Sequence, residues 1–178
     1  MRLILLFTFL LSAYFSFSQT ESDTSKPISL IKIVDVANTT KNDLYNKSLT
    51  WCAESFKDHR NAVTFSDQET GIIIGNASFV AYKIDKKNRK QPINYNLRFK
   101  IEVKDNRSRI SYTDIYYELS STSNHLLTTS EMPPFDILLM STKNMKLYWK
   151  SVKLTAIDYL ENLTNYYITS VSSKADEW

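Results

Sequence analysis

The sequence predicts an α+β fold, a two-layer sandwich in which two helices cover one face of a curved antiparallel sheet. Residues 93–103 carry this prediction best, because six apolar residues alternate strictly with five polar ones. Such alternation is typical of a strand with one buried and one solvated face. Two segments, 41–57 and 144–170, instead repeat apolar residues every three or four positions, as amphipathic helices do. The order along the chain is strand, helix, four strands, helix, which favours segregated layers.

The first strand and helix follow from local composition. Residues 30–36 are rich in β-branched side chains and predict a strand. Thr40 followed by Asp43 predicts a helix start, because the hydroxyl and the carboxylate can accept hydrogen bonds from the free backbone amides of the first turn. The predicted helix then carries an apolar stripe formed by Tyr45, Leu49, Cys52 and Phe56.

The next segment predicts two strands and their connections. Residues 62–66 read as a short strand, and 67–71 as a turn in which Gly71 takes a positive φ, as glycine does cheaply. Residues 72–84 predict a long central strand. A charged hairpin loop, 85–91, leads into the strand at 93–103.

The central hairpin is predicted to close at Asp105-Asn106, since both residues tolerate left-handed conformations. The returning strand, 107–119, changes its apolar phase, which indicates a β-bulge near Thr113-Asp114. Residues 120–135 are rich in serine and threonine and predict an irregular connector to the second helix.

The N-terminus predicts export. Met1-Arg2 is followed by a run, 3–17, that is apolar apart from three hydroxyl residues, and Ser16-Phe17-Ser18 suits signal peptidase. We therefore expect cleavage before Gln19 and a periplasmic, cell-surface or secreted protein. The predicted divisions are a signal peptide at 1–18, a flexible leader at 19–28, one domain at 29–171 and a tail at 172–178.

The composition argues against a nucleic-acid partner, a disulfide, a metal site and a membrane-spanning helix. The formal net charge of +3 is too small to indicate a nucleic-acid partner. Cys52 is the only cysteine, so no intrachain disulfide can form. The two histidines, His59 and His125, lack the spacing of a metal motif, and we expect no metal or cofactor. After removal of the signal, no segment predicts a membrane-spanning helix.

Several short motifs carry a resemblance to a known family. They are Asn42-Asp-Leu-Tyr45, Trp51 with Phe56, Asp67-Gln-Glu-Thr-Gly71, Ile74-Gly75 and Lys104-Asp-Asn-Arg107. With these motifs in this order along the sequence, the chain resembles a bacterial family of exported proteins of unknown function with a TATA-binding-protein-like fold. Asn106 stands where that family usually has glycine. The resemblance implies the fold and bacterial export, and it brings no activity, active site or DNA binding, because fold does not transfer function.

Two surfaces are candidates for ligand binding. The first is the solvated face of the central hairpin, where amides, guanidinium groups and hydroxyls could converge on a ligand. Its residues are Asn94, Asn96, Arg98, Lys100, Arg109 and Ser111. The second is a basic loop that could meet anionic sugars, lipid headgroups or an acidic partner. Its residues are Lys86, Lys87, Arg89 and Lys90, with Lys83 nearby. Either set is also what an ordinary solvated surface contains.

Three further sets of residues could have either a functional or a purely structural role. Cys52 could be a nucleophile, but its place on the apolar stripe favours core packing. Asp67 and Glu69 could serve acid–base chemistry, but their turn favours backbone capping. The aromatic residues are mostly assigned to the core, and any left exposed would indicate a protein contact. These are Tyr112, Tyr116, Tyr117, Tyr148, Trp149, Tyr166 and Tyr167.

The sequence therefore favours a non-enzymatic exported module that binds an envelope or extracellular ligand through its open sheet face. The alternative is a structural or assembly role, in which the second helix or a free strand edge pairs with another chain. A hydrolase that uses Asp67 and Glu69 is a third and weaker hypothesis.

Overall fold

A computed structural model describes residues 25–56, 62–84, 89–120, 123–135 and 140–173. The predicted signal peptide lies outside these residues. Along the chain the elements are β1 (Leu30–Asp35), α1 (Lys41–Ser55), β2 (Val63–Asp67), β3 (Ile72–Ile84), β4 (Lys90–Lys104), β5 (Arg107–Ser120), β6 (Ser123–Leu126) and α2 (Thr142–Ser172).

The six strands form one antiparallel sheet in the order β1-β5-β4-β3-β2. β6 also pairs with β5, at residues 116–120, beyond the stretch 107–112 that pairs with β1. This confirms the predicted α+β sandwich of two helices and a curved sheet. The sequence prediction missed β6, which it assigned to an irregular connector.

Both helices cover the same face of the sheet and bury it. The side chains that β4 directs towards the helices are all buried, namely Ile93, Tyr95, Leu97, Phe99, Ile101 and Val103. Tyr167 of α2 joins the layers, because its hydroxyl is hydrogen-bonded to Ser48 of α1, at 3.0 Å, and to Ser108 of β5. One continuous core therefore fixes the helices on the sheet, and none of the described helices covers the opposite face.

The predicted caps and turns are present. Thr40 is the N-cap of α1, and its hydroxyl oxygen accepts from the Asp43 amide at 3.2 Å. Gly71 has φ of 73° and Asn106 has φ of 60°, so both adopt the left-handed conformation expected of them. The Gly71 carbonyl accepts from the Val103 amide at 2.8 Å, which ties this turn to the neighbouring strand.

The boundaries differ from prediction at several elements. α1 ends at Ser55, because Phe56 turns to an extended conformation and stacks on Phe99 at 4.9 Å between ring centroids. α2 begins two residues early, at Thr142, since Ser141 supplies its N-cap hydroxyl. β4 begins at Lys90 instead of 93, because Lys90 still pairs with Ile84 across the hairpin.

The start of the described chain pairs with the segment after β6. Pro27 forms a β-bridge with Thr128, and the Ile28 amide donates to the Leu127 carbonyl at 2.9 Å. Residues 26–28, predicted as the end of a flexible leader, are therefore attached to the edge of the domain by backbone hydrogen bonds.

Candidate functional site

The sheet face opposite the helices, here called the open face, presents alternate side chains of β3, β4 and β5. They are Asn76, Ser78, Val80 and Tyr82 of β3, then Asn94, Asn96, Arg98, Lys100, Glu102 and Lys104 of β4, then Arg107, Arg109, Ser111, Thr113, Tyr116 and Glu118 of β5. All are exposed or half-buried. The strict alternation of β4 thus produces the solvated face that its sequence predicts.

A depression of about 740 Å³, here called the cleft, is lined by residues of this face and by four buried residues. Its polar lining consists of Asn76, Ser78, Asn96, Arg98, Asp114 and Tyr116, and the rest comes from Phe56, Ala62, Ala77 and Leu97. The polar residues come from three neighbouring strands, so the rigid sheet sets their spacing.

A β-bulge in β5 shapes one wall of the cleft. Arg98 pairs with Thr113 but Asn96 pairs with Tyr116, so β5 carries one extra residue here. Asp114, with φ of 50°, occupies the irregularity. The bulge confirms the prediction at Thr113-Asp114. Its consequence was missed: it turns Tyr116, predicted as core, onto the open face, where its exposed fraction is 37%.

Arg98 is the one cation among the residues that line the cleft. Its pairing partners on the two neighbouring strands are neutral, Asn76 on β3 and Thr113 on β5. In the described part of the chain its guanidinium group has no ion pair or hydrogen bond. Beside it, the Ser78 hydroxyl donates to the Asn96 side-chain oxygen at 2.6 Å. The cleft therefore holds one cation, Arg98, and one carboxylate, Asp114, beside oriented amide and hydroxyl groups.

Glu102 engages the two cations next to the cleft. Its carboxylate lies 3.0 Å from Lys100 Nζ and accepts from Arg109 Nε at 2.8 Å. Partial burial by itself raises the pKa of Glu102, but the hydrogen bonds from Lys100 and Arg109 outweigh it and hold the pKa below its usual value. Lys100 and Arg109 are therefore already paired, unlike Arg98.

The structure thus divides the six residues predicted for this face. Asn96 and Arg98 line the cleft. Lys100 and Arg109 are tied to Glu102, and the Ser111 hydroxyl donates to the Lys100 carbonyl at 3.2 Å. Asn94 is exposed further along β4, opposite Val80 and Glu118. Sequence reasoning missed Asn76 and Ser78, although both alternate with the buried Ala77 and Phe79 and could have been found.

The basic loop is only partly described. Lys86 and Lys87 lie outside the described residues, whereas Arg89 and Lys90 are exposed. Lys83 packs on α2, with its Nζ 4.8 Å from the centre of the Tyr148 ring. The positive charge of Lys83, next to the loop, is thus directed towards an aromatic side chain of the helix layer.

The alternative reaction centres have structural roles. Cys52 is buried in the core, and burial raises the pKa of its thiol to about 12. Asp67 accepts from the Thr70 hydroxyl at 2.6 Å and from the Glu69 amide at 2.9 Å. The bond from Thr70 in particular lowers the pKa of Asp67. Core packing of Cys52 and capping by Asp67 are as predicted, and neither carboxylate of the turn lines the cleft.

The histidines and aromatic residues complete the predicted candidates. His59 lies outside the described residues, and His125 Nε2 is hydrogen-bonded to the Ser123 hydroxyl at 2.8 Å. Among the described residues, no three histidine, cysteine or acidic side chains are grouped as a metal site would need. Tyr112, Tyr117, Trp149 and Tyr167 are buried as predicted, whereas Tyr166 is 45% exposed and donates to Glu54 at 2.7 Å.

No helix in the described ranges is both long and apolar enough to cross a membrane.

These features define an α+β fold with a helix layer, an antiparallel sheet and an open polar face. Residues 31–118, from β1 to β5, match the model of a family described as a domain of unknown function, DUF4468, with a TBP-like fold. This part of the chain is similar to that family. The match confirms the predicted resemblance to a family of unknown function with a TBP-like fold, and the predicted fold class.

Two solved structures share the fold over most of their length. A DUF4468 family protein from Bacteroides ovatus aligns with a TM-score of 0.65 and 12% identity, over 85% of this chain and 90% of that one. A TBP-like protein from Parabacteroides distasonis aligns with a TM-score of 0.59 and 15% identity, over 84% and 95%. At such identities the likeness concerns the fold alone. No curated protein is significantly similar to the chain.

Proposed function

We propose that the protein is an exported, non-enzymatic binding module, and that the cleft on its open face binds an acidic oligosaccharide. The observation that carries this proposal is Arg98, the one cation among the residues that line the cleft, which has no partner among the described residues. A guanidinium group presents a planar fork of donors that matches a carboxylate, and charge-assisted bonds of this kind are stronger than neutral ones.

The neighbours of Arg98 favour a sugar as the rest of the ligand. Asn76, Ser78 and Asn96 supply amide and hydroxyl groups, and Asp114 supplies an acceptor for ligand hydroxyls. Tyr116 adds a partly exposed ring, a flat surface suited to the face of a sugar. Hydroxyl-rich ligands that also carry a carboxylate, such as uronic-acid oligomers, match this combination of groups.

Replacing Arg98 tests this site. We expect Arg98→Gln to weaken the binding of a uronic-acid oligomer by about 10- to 100-fold, since a hydrogen bond to a charged group contributes about 1.5–3 kcal/mol. The matched control is Lys104→Gln, which removes an exposed cation at the far end of the same strand and should change the affinity less than about twofold. Isothermal titration calorimetry measures both constants, with a neutral oligomer of the same length as a reference ligand.

An equal loss of affinity in Arg98→Gln and Lys104→Gln would show that binding depends only on net charge. The cleft would then not be the binding site. If the neutral oligomer binds as tightly as the acidic one, the assigned role of Arg98 is wrong. Tight binding of an acidic peptide in place of the sugar would likewise overturn the ligand class.

Export is a separate prediction with its own measurement. We expect the protein recovered from an expressing Gram-negative cell to begin at Gln19 and to leave the cytoplasm, because the leader has the charge, apolar core and small residues of a signal peptide. Intact-mass spectrometry of the periplasmic and culture fractions reads the N-terminus directly. A chain that keeps Met1 and stays in the cytosolic fraction contradicts export.

A role in assembly is the second candidate, and two observations favour it. Most of the long strand β3 has no described neighbour on its outer side, because β2 pairs only with residues 72–75. α2 also exposes Leu147 and Leu154.

A further inference from the structure

The outer edge of β3 is unpaired over most of its length. β2 reaches only to Val63, which pairs with Gly75, and no described segment pairs with the outer side of residues 76–84. The other side of these residues is fully paired with β4. Within the described residues, the sheet therefore ends in a free edge at 76–84, about 30 Å long at the rise of an antiparallel strand.

The hydrogen-bonding groups of this edge can be assigned from the register. In an antiparallel pair, alternate residues direct both backbone groups to the same neighbour. Gly71 accepts from Val103 of β4, whereas the Ile74 carbonyl accepts from Thr64 on the β2 side. Odd-numbered residues thus face β4 and even-numbered ones face outwards. The outward amides and carbonyls of the free edge belong to Asn76, Ser78, Val80, Tyr82 and Ile84.

The edge lacks the features that normally prevent strands from pairing. Natural edges are protected by proline, charge, a bulge or short length. Residues 76–82 contain no proline and no charged side chain, and Lys83 is the only cation up to position 84. Val80 and Tyr82 are 45% and 60% exposed on the open face. Such an edge is suited to the addition of another strand.

We propose that the added strand is β3 of a second copy, paired antiparallel about a two-fold axis at Val80. This register matches outward residues with outward residues and gives the greatest overlap of the free edge. It places Val80 opposite the partner's Val80, and Ser78 opposite the partner's Tyr82. The two sheets then form one continuous sheet with the exposed apolar side chains clustered at its centre.

Self-complementarity is the reason for choosing a second copy as the occupant. A two-fold axis at Val80 sets this residue against its own copy, so a charge at the axis would meet a like charge. The edge has none between Asn76 and Tyr82. α2 also leaves room beside the edge, as a groove of about 370 Å³ lined in part by Ala81, Asp158 and Tyr159. One strand pair is a small interface, so we expect a dissociation constant of the order of 10 µM.

Introducing charge at the axis tests the register. Val80→Lys and Val80→Glu each place like charges opposite one another, and sedimentation equilibrium should find both monomeric at about 100 µM, where the wild-type chain is mostly dimeric. An equimolar mixture of the two variants should recover dimers, because the introduced lysine of one copy then meets the introduced glutamate of the other. Val80→Thr, which keeps the shape and the backbone donor, should dimerise like the wild type. Circular dichroism confirms that each variant folds, since Val80 is exposed.

A wild-type chain that stays monomeric at this concentration overturns the proposal, as does a dimer that survives in Val80→Lys alone. A mixture that remains monomeric rejects the contact at Val80. The cleft and the edge share Asn76 and Ser78, but the two tests remain distinguishable, because Val80 does not line the cleft and Arg98 lies on β4, away from the edge.

Discussion

Replacing Gly75 with alanine is expected to destabilise the fold by about 2–3 kcal/mol, since overpacking a dense core costs this much. A Cβ atom at this position would lie 2.0 Å from the Ala62 carbonyl oxygen and 2.3 Å from Cζ of Phe99. Neither neighbour can move freely: Ala62 directly precedes β2, and the Phe99 ring is fully buried against Phe56. Thermal unfolding should show a midpoint lowered by about 5–10 °C.

The adjacent Asn76→Ala substitution is the matched control. Asn76 is exposed on the open face, so its replacement should change the free energy of unfolding by less than about 0.5 kcal/mol. If Gly75→Ala is as stable as Asn76→Ala, then the Ala62 carbonyl and the Phe99 ring do not lie as close to Gly75 as the structure places them.

Replacing Trp149 with alanine is expected to have the largest effect on stability, about 3–5 kcal/mol, because a buried indole is lost and a cavity remains. Trp149 is fully buried in α2. Its ring makes an edge contact with Phe135 at 5.9 Å between centroids, and its Nε1 donates to the Ser130 carbonyl at 3.2 Å. The side chain therefore fastens the segment after β6 to the helix layer. Urea denaturation followed by circular dichroism measures the loss.

Trp149→Phe separates packing from hydrogen bonding. It keeps an aromatic ring but loses the donor to Ser130, and should cost clearly less than the alanine variant, about 1–3 kcal/mol. Equal losses for both variants would mean that packing of the ring contributes nothing, which contradicts its placement in the core.

The sequence predicted most of the fold because its strongest signals are local. The alternation of residues 93–103 and the phase change at Thr113-Asp114 indicated the correct face and the correct bulge. β6 was not predictable in this way, since Ser-Asn-His-Leu has no alternation. It exists because β1 begins, at Leu30, opposite Tyr112 and leaves the rest of the β5 edge available.

The candidate site was only partly predictable, because it depends on which strands lie side by side. The tight turn at Asp105-Asn106 fixes the β4–β5 register, so the pairing of Glu102 with Arg109 could have been inferred from the sequence. The place of Asn76 beside Arg98 could not, because the β3–β4 register is set across a longer loop. The sequence identified the polar side chains. The structure showed that one of them, Arg98, lines the cleft and has no partner among the described residues.

Chemical-shift mapping tests the central claim, that ligand binding occurs on the open face at Arg98, most directly. We predict that titrating the ¹⁵N-labelled mature chain with a uronic-acid oligomer shifts the amides of Asn76, Asn96, Arg98 and Tyr116, and leaves buried α1 residues such as Trp51 unchanged. Shifts confined to the helix layer, or none at millimolar oligomer, would contradict a binding site on this face.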